Sequence, residues 1–169
     1  MSAKLSVRQG GTIWLLLSAL VIGLDQLTKA IVMNVLQPYV PHPVIPGLLN
    51  WTLAFNDGAA FSFLAGEAGW QRWLLSSLAI VVSIVLARWL ARTPRGDWRL
   101  LLPLALVIGG ALGNLIDRLR AGHVTDFIQV YYGEWAFPSF NVADSAISIG
   151  AVLLVWFGVI ATGKKQASS

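Results

Sequence analysis

Two aspartates stand in motifs able to do hydrolytic chemistry. Asp126 lies in His123-Val-Thr-Asp-Phe127 and Asp144 in Phe140-Asn-Val-Ala-Asp-Ser145, with 17 residues between them. Two carboxylates brought to one site cannot both ionise cheaply. One proton is held between them, so one serves as general base and the other as general acid toward a bound water. Spacing alone leaves blander roles open. Asp126 can be a solvated loop carboxylate, and Asp144, about 6 Å beyond Phe140 along a helix, can be a capping group in the field of a helix N-terminus.

Other polar residues sit in apolar surroundings, where ionisable groups are costly and need a partner. Asp25 and Lys29 are four residues apart and share a helical face. They form either an ion pair that satisfies itself or part of a site. Asn114, Asp117 and Arg118 fall three and four apart, again on one face. They either anchor a helix end at the headgroups or hold substrate carbonyls and lipid oxygens. The absence of cysteine removes disulfides, thiolate zinc sites and a cysteine nucleophile. With His42 and His123 the only histidines, no multi-histidine metal site is expected, and no other cofactor.

The elements that must position these groups are membrane spans. The chain is 56% hydrophobic and 12% charged, with a mean hydropathy of +0.69, and a soluble domain carries about a quarter charged residues. Four segments suffice to cross about 30 Å of hydrocarbon: 12–36, 71–91, 98–116 and 140–161. Lys4 and Arg8 precede the first, yet the run continues through Asp25 and Lys29 without a small-residue cleavage site, so it reads as a span rather than a removable leader. Basic residues gather before span one, around the link between spans two and three (Arg88, Arg92, Arg95, Arg99) and after span four (Lys164, Lys165), whereas 37–70 has none. Both termini are therefore expected in the cytoplasm, with segments 37–70 and 117–139 outside. Basic residues placed at span ends, and not in an aromatic patch, argue against nucleic acid as a partner. Segment 37–70 reads as a strand over 48–55 and a hairpin turn at Asn56-Asp-Gly58, its aromatics suiting a small sheet at the membrane interface. Gly109 and Gly113 offer a close-approach surface to another helix. The expected fold is an all-α membrane protein of one domain, with four transmembrane helices and a small outer sheet between helices one and two.

Five blocks taken together are more specific than any pair of aspartates. Leu24-Asp-Gln-Leu-Thr-Lys29, Asn56-Asp-Gly-Ala-Ala-Phe61, Gly110-Ala-Leu-Gly-Asn-Leu-Ile-Asp-Arg118, Val124-Thr-Asp-Phe127 and Phe140-Asn-Val-Ala-Asp-Ser145 occur in the order seen in bacterial lipoprotein signal peptidase (signal peptidase II), which the chain resembles from span one to the start of span four. The resemblance implies a bacterial inner-membrane aspartic endopeptidase that acts on lipid-modified prolipoproteins. It would cut just before the diacylglyceryl-modified cysteine, near the periplasmic face. By this likeness Asp126 and Asp144 match the catalytic pair. Asn56, Asn114, Arg118 and Asn141 match positions lining the substrate site, and Asp25, Lys29 and Asp117 match polar positions supporting it. Membrane lipids are the expected partners besides substrate, around a monomer. Two rival readings remain at this point. A Ser–Lys peptidase would use Lys29 with Ser62, Ser139 or Ser145. A small carrier or proton-coupled assembly factor would use the buried carboxylates as relays.

Overall fold

A computed structural model describes residues 10–58 and 69–166, with side chains through residue 158. A 3-10 turn, Gly11–Trp14, leads into α1 (Leu15–Val35). Then follow β1 (His42–Ile45), β2 (Leu49–Asn56), α2 (Trp70–Arg92), α3 (Trp98–Ala121), β3 (Val124–Tyr132), β4 (Trp135–Ala136) and α4 (Val142–Gln166). Gly11–Val35, α2 and α3 are long and apolar enough to cross a membrane, and α4 carries a shorter apolar run, Val142–Gly158.

Helix α3 is the centre of the bundle. Toward it α1 turns Ser18, Val21, Asp25 and Lys29, a three-and-four spacing that makes one buried stripe. The opposite face of α1 exposes Leu16, Leu20, Leu24, Leu27 and Ile31. Such a display is unfavourable in water and suits hydrocarbon. At one end α3 packs through Leu101, Leu104, Ala105 and Ile108 against Leu90 of α2. At the other end glycines replace large side chains. A Cβ on Gly109 would lie 2.8 Å from that of Val21, and one on Gly110 would strike the Ala143 carbonyl of α4. The close approach expected at Gly109 and Gly113 is therefore real, and Gly110 extends it to α4.

The structure corrects the helix bounds at two ends, and α4 reaches Gln166 where 161 is expected. Helix α3 does not stop at residue 116 but runs to Ala121, where Gly122, at φ 87°, caps it through an N–H bond to the Arg118 carbonyl (3.1 Å). Asn114, Asp117 and Arg118 thus project from a continuous helix and not from a frayed end.

The sheet needs a second correction. It is not confined to the segment between α1 and α2: its four strands run in the order β1-β2-β3-β4, all antiparallel, and β3 and β4 come from the segment between α3 and α4. The hairpin between β1 and β2 turns at Pro46-Gly47-Leu48, with Gly47 at φ 78°. At Asn56-Asp-Gly58 β2 ends in a turn, the Asn56 Oδ1 accepting from the Gly58 N–H at 2.9 Å. The second arm of a hairpin there, with Phe61 and Phe63, lies outside the described residues. On the side away from β1, β2 pairs with β3, with Ala54 opposite Asp126 and Asn56 opposite Val124. Period-two alternation in β3 was masked because its first four residues are all buried.

Candidate active site

The pairing of β2 with β3 sets Asp126 beside Asn56, whose Nδ2 donates to Asp126 Oδ2 at 3.1 Å. Asp126 is thus no solvated loop carboxylate. It lies on a strand with 2% of its surface exposed. Asn141, immediately before α4, donates from Nδ2 to Asp126 Oδ1 at 2.7 Å. The same residue organises Asp144. Its Oδ1 accepts from the Asp144 N–H at 2.8 Å, and its own N–H donates to Asp144 Oδ2 at 3.2 Å. This is a reciprocal capping box with Asp144 at the third helical position. Asn114 of α3 completes the ring. Its Nδ2 donates to Asp144 Oδ1 at 2.7 Å, and its Oδ1 accepts from Asn141 at 3.1 Å. The helix-capping role of Asp144 and its place beside Asp126 are therefore one arrangement. Both carboxylates lie within hydrogen-bond distance of Asn141.

Beneath the pair is an ionic network drawn from three elements. Lys29 Nζ is 2.8 Å from Asp25 Oδ2, 2.8 Å from Asp117 Oδ2 and 3.0 Å from Asn114 Oδ1. Lys29 and Asp25 are fully buried, so a self-sufficient pair is too small a description. The cation is shared with α3. The free Asp25 oxygen accepts from the Ala143 N–H of α4 at 3.0 Å, and Asp117 Oδ2 accepts from the Thr125 N–H of β3 at 3.1 Å. The network thus ties α1 and α3 to the backbone beside each of the two aspartates. A Cβ at Gly113 would fall 2.8 Å from Asp25 Oδ2 and 3.3 Å from Ala143 Cβ, so glycine is what allows the three helices to meet here.

Arg118 faces the charges of Asp144, Asp126 and Asp117 from the next turn of α3. All the expected site residues, Asn56, Asn114, Arg118, Asn141, Asp25, Lys29, Asp117, Asp126 and Asp144, therefore converge in one region. Among the described residues the partners of Lys29 are Asp25, Asp117 and Asn114, and neither Ser139 nor Ser145 bonds to it. Ser145 donates to the Asn141 carbonyl at 2.9 Å, and Ser62 lies outside the described residues. Two members were missed in the sequence. Gln26 donates to Asp117 Oδ1 at 2.8 Å, and Thr125 gives its carbonyl to Asn141 at 3.3 Å. An amide next to Asp25 within an apolar run was the available signal for Gln26. Nothing local marked a backbone carbonyl.

The electrostatics of Asp126 follow from its surroundings. Burial pushes its carboxyl up to about 7, and the neighbouring Asp144 charge adds to this, while the Asn56 and Asn141 amides and Lys29 hold it down. Such a group exchanges a proton near neutral pH, as general acid–base work requires. Among the described residues no cluster of His, Cys, Asp and Glu is arranged for a metal ion.

The family described as Signal peptidase (SPase) II matches residues 17–160. A lipoprotein signal peptidase of Xanthomonas campestris pv. campestris is 60% identical over 154 residues, covering 91% of this chain and 92% of that protein. One of Xylella fastidiosa is 57% identical over 140 residues, covering 83% and 84%. Among solved structures, a bacterial membrane enzyme determined by the in meso method at 2.3 Å aligns with a TM-score of 0.79 and 31% identity, over 91% of this chain and 92% of that one. A second, at 1.9 Å, aligns with a TM-score of 0.73 and 32% identity, over 85% and 90%. A match over most of the length, on a chain whose polar motifs meet at one place, settles the membership: the chain belongs to the signal peptidase II family.

Proposed function

We propose that this membrane peptidase is an aspartic endopeptidase that removes the signal peptide from diacylglyceryl-modified prolipoproteins, cutting just before the lipidated cysteine. The observation that carries the reading is the convergence of Asp126 and Asp144 on Asn141. The pair holds one proton. Its ionised member takes a proton from a bound water as the water oxygen attacks the scissile carbonyl carbon. The protonated member donates to the carbonyl oxygen; on collapse of the tetrahedral adduct the C–N bond breaks as the amine takes the proton drawn from water, and a hydroxyl proton of the adduct returns to the other aspartate. No covalent enzyme intermediate forms. Asn56 and Arg118 hold substrate carbonyls, Asn114 and Asn141 orient the carboxylates, and Asp25, Lys29 and Asp117 fix the elements beneath them.

The molecule works as a single-domain monomer of the bacterial inner membrane, crossing it four times with α4 as the fourth span. Both termini are cytoplasmic, and the sheet and aspartates sit near the periplasmic face. The basic residues at the other end of the bundle support this orientation. A lipidated substrate stays in the bilayer, so a site at the interface receives it by lateral diffusion. The test is Asp144→Asn, assayed on a diacylglyceryl-modified peptide with folding checked by circular dichroism. Loss of cleavage in a folded protein is expected, and normal cleavage would sink the mechanism.

A further inference from the structure

A cavity of about 290 Å³ lies between the C-terminal half of α1 and the sheet, away from the aspartates. Its walls are Ile31, Val32, Val35 and Leu36 from α1, with Trp51 of β2 and Phe127 of β3. The Trp51 and Phe127 rings pack at 5.7 Å between centroids. One polar side chain reaches it, Thr28, and its hydroxyl is already engaged with the Leu24 and Asp25 carbonyls at 2.8 and 2.9 Å. Water entering such a place would find too few polar partners.

We propose that this cavity holds one acyl chain of a bilayer phospholipid, which packs against the strand that carries Asp126. Three observations choose this occupant. Ile31 and Val35, 51% and 68% exposed, belong to the lipid-facing side of α1, so the cavity is continuous with the surface that hydrocarbon already covers, and its floor is Phe127, 3% exposed. The volume suits a chain segment, since an apolar cavity of about 150 Å³ admits a benzene ring and this one has room for roughly twice as much carbon. The third is the alternation of β3. Thr125 and Phe127 face α1, where the Thr125 hydroxyl lies 3.8 Å from Met33 Sδ, while Asp126 turns the other way toward Asn56 and Asn141. A chain here therefore backs the strand from the side opposite the carboxylates. The lining offers nothing for a headgroup. Only the chain enters. This inference rests on the membrane setting of the helices and not on the catalytic reading.

The experiment uses the full chain in phosphatidylglycerol vesicles whose lipid carries a mid-chain diazirine, without substrate. Irradiation and peptide mass spectrometry should find adducts on Trp51 and on the buried Phe127. Val32→Phe fills the cavity and should abolish the Phe127 adducts while those on Trp73 and Leu78 of α2 persist as evidence of folding. Val32→Leu, a milder filling, should reduce them, and Val32→Ala should keep them. Adducts confined to exposed positions such as Leu27 and Leu78 would overturn the assignment. So would Phe127 labelling undiminished in Val32→Phe, or labelling that appears only when lipidated substrate is added.

Discussion

The hydrogen bond from Asn56 to Asp126 makes a prediction about pH that can be worked through. Burial and the Asp144 charge raise the Asp126 carboxyl to about 7, and the Asn56 amide opposes them by stabilising the ionised form. Cleavage needs one proton on the pair, so rate falls as pH rises through the apparent pKa, tenfold per pH unit. Asn56→Ala removes a 3.1 Å bond to a charged group. Bonds of that kind are worth about 1.5–3 kcal/mol, and the half-burial of Asn56 places it at the low end, about one pH unit. The alkaline limb of kcat/KM should therefore move upward by about one unit. At pH 8 the native enzyme should retain roughly a tenth of its own plateau and the variant roughly half. The assay is continuous cleavage of a fluorogenic lipidated peptide from pH 5 to 9, each protein normalised to its plateau, since loss of Asn56 also weakens substrate binding. An unmoved limb, a downward shift, or a native profile flat to pH 9 would refute the reasoning.

Stability should carry the same group's signature with the sign of a raised acid. The folded chain holds the Asp126 proton more tightly than the unfolded chain, so stability falls as pH rises from about 4 to about 7 and is level above. The gap between 3.8 and about 7 corresponds to about 4 kcal/mol at most. Melting in detergent at pH 5 and pH 8 should show a drop in the native protein that is much smaller in Asp126→Asn. Lys29→Met leaves two buried carboxylates without their cation and should cost about 3–5 kcal/mol. An unchanged melting temperature would mean that the network contributes nothing. Gly110→Ala drives a methyl into the Ala143 carbonyl, an overpacking cost of about 1–3 kcal/mol that should also lower cleavage by moving α4. Gly23→Ala, with open space around its Cβ position, should be neutral or slightly stabilising in the same melts.

Much of this protein is determined by the sequence alone because hydrocarbon imposes simple demands. A span must be long, apolar and free of unpaired charge, so α1 and α2 could be placed within a few residues, and α3 at its start. The polar groups that break the rule, Asp25, Lys29, Asn114, Asp117 and Asp144, marked themselves by their cost. The pairing of Asp25 with Lys29 followed from four-residue spacing. What spacing could not reach was every relation between elements distant in the chain. Asp117 shares Lys29 across 88 residues, and Asn56 meets Asp126 across 70, because α3 continues past residue 116 and β2 pairs with β3. Local propensity carries no information on which strand a second strand will choose, and a strand buried on both faces loses its alternation. Asn141 is the clearest case. As a residue before a helix it reads as a cap, and it is one. Only the folded chain brings Asp126 of β3 to the other side of the same amide, so that a capping residue becomes the meeting point of two carboxylates.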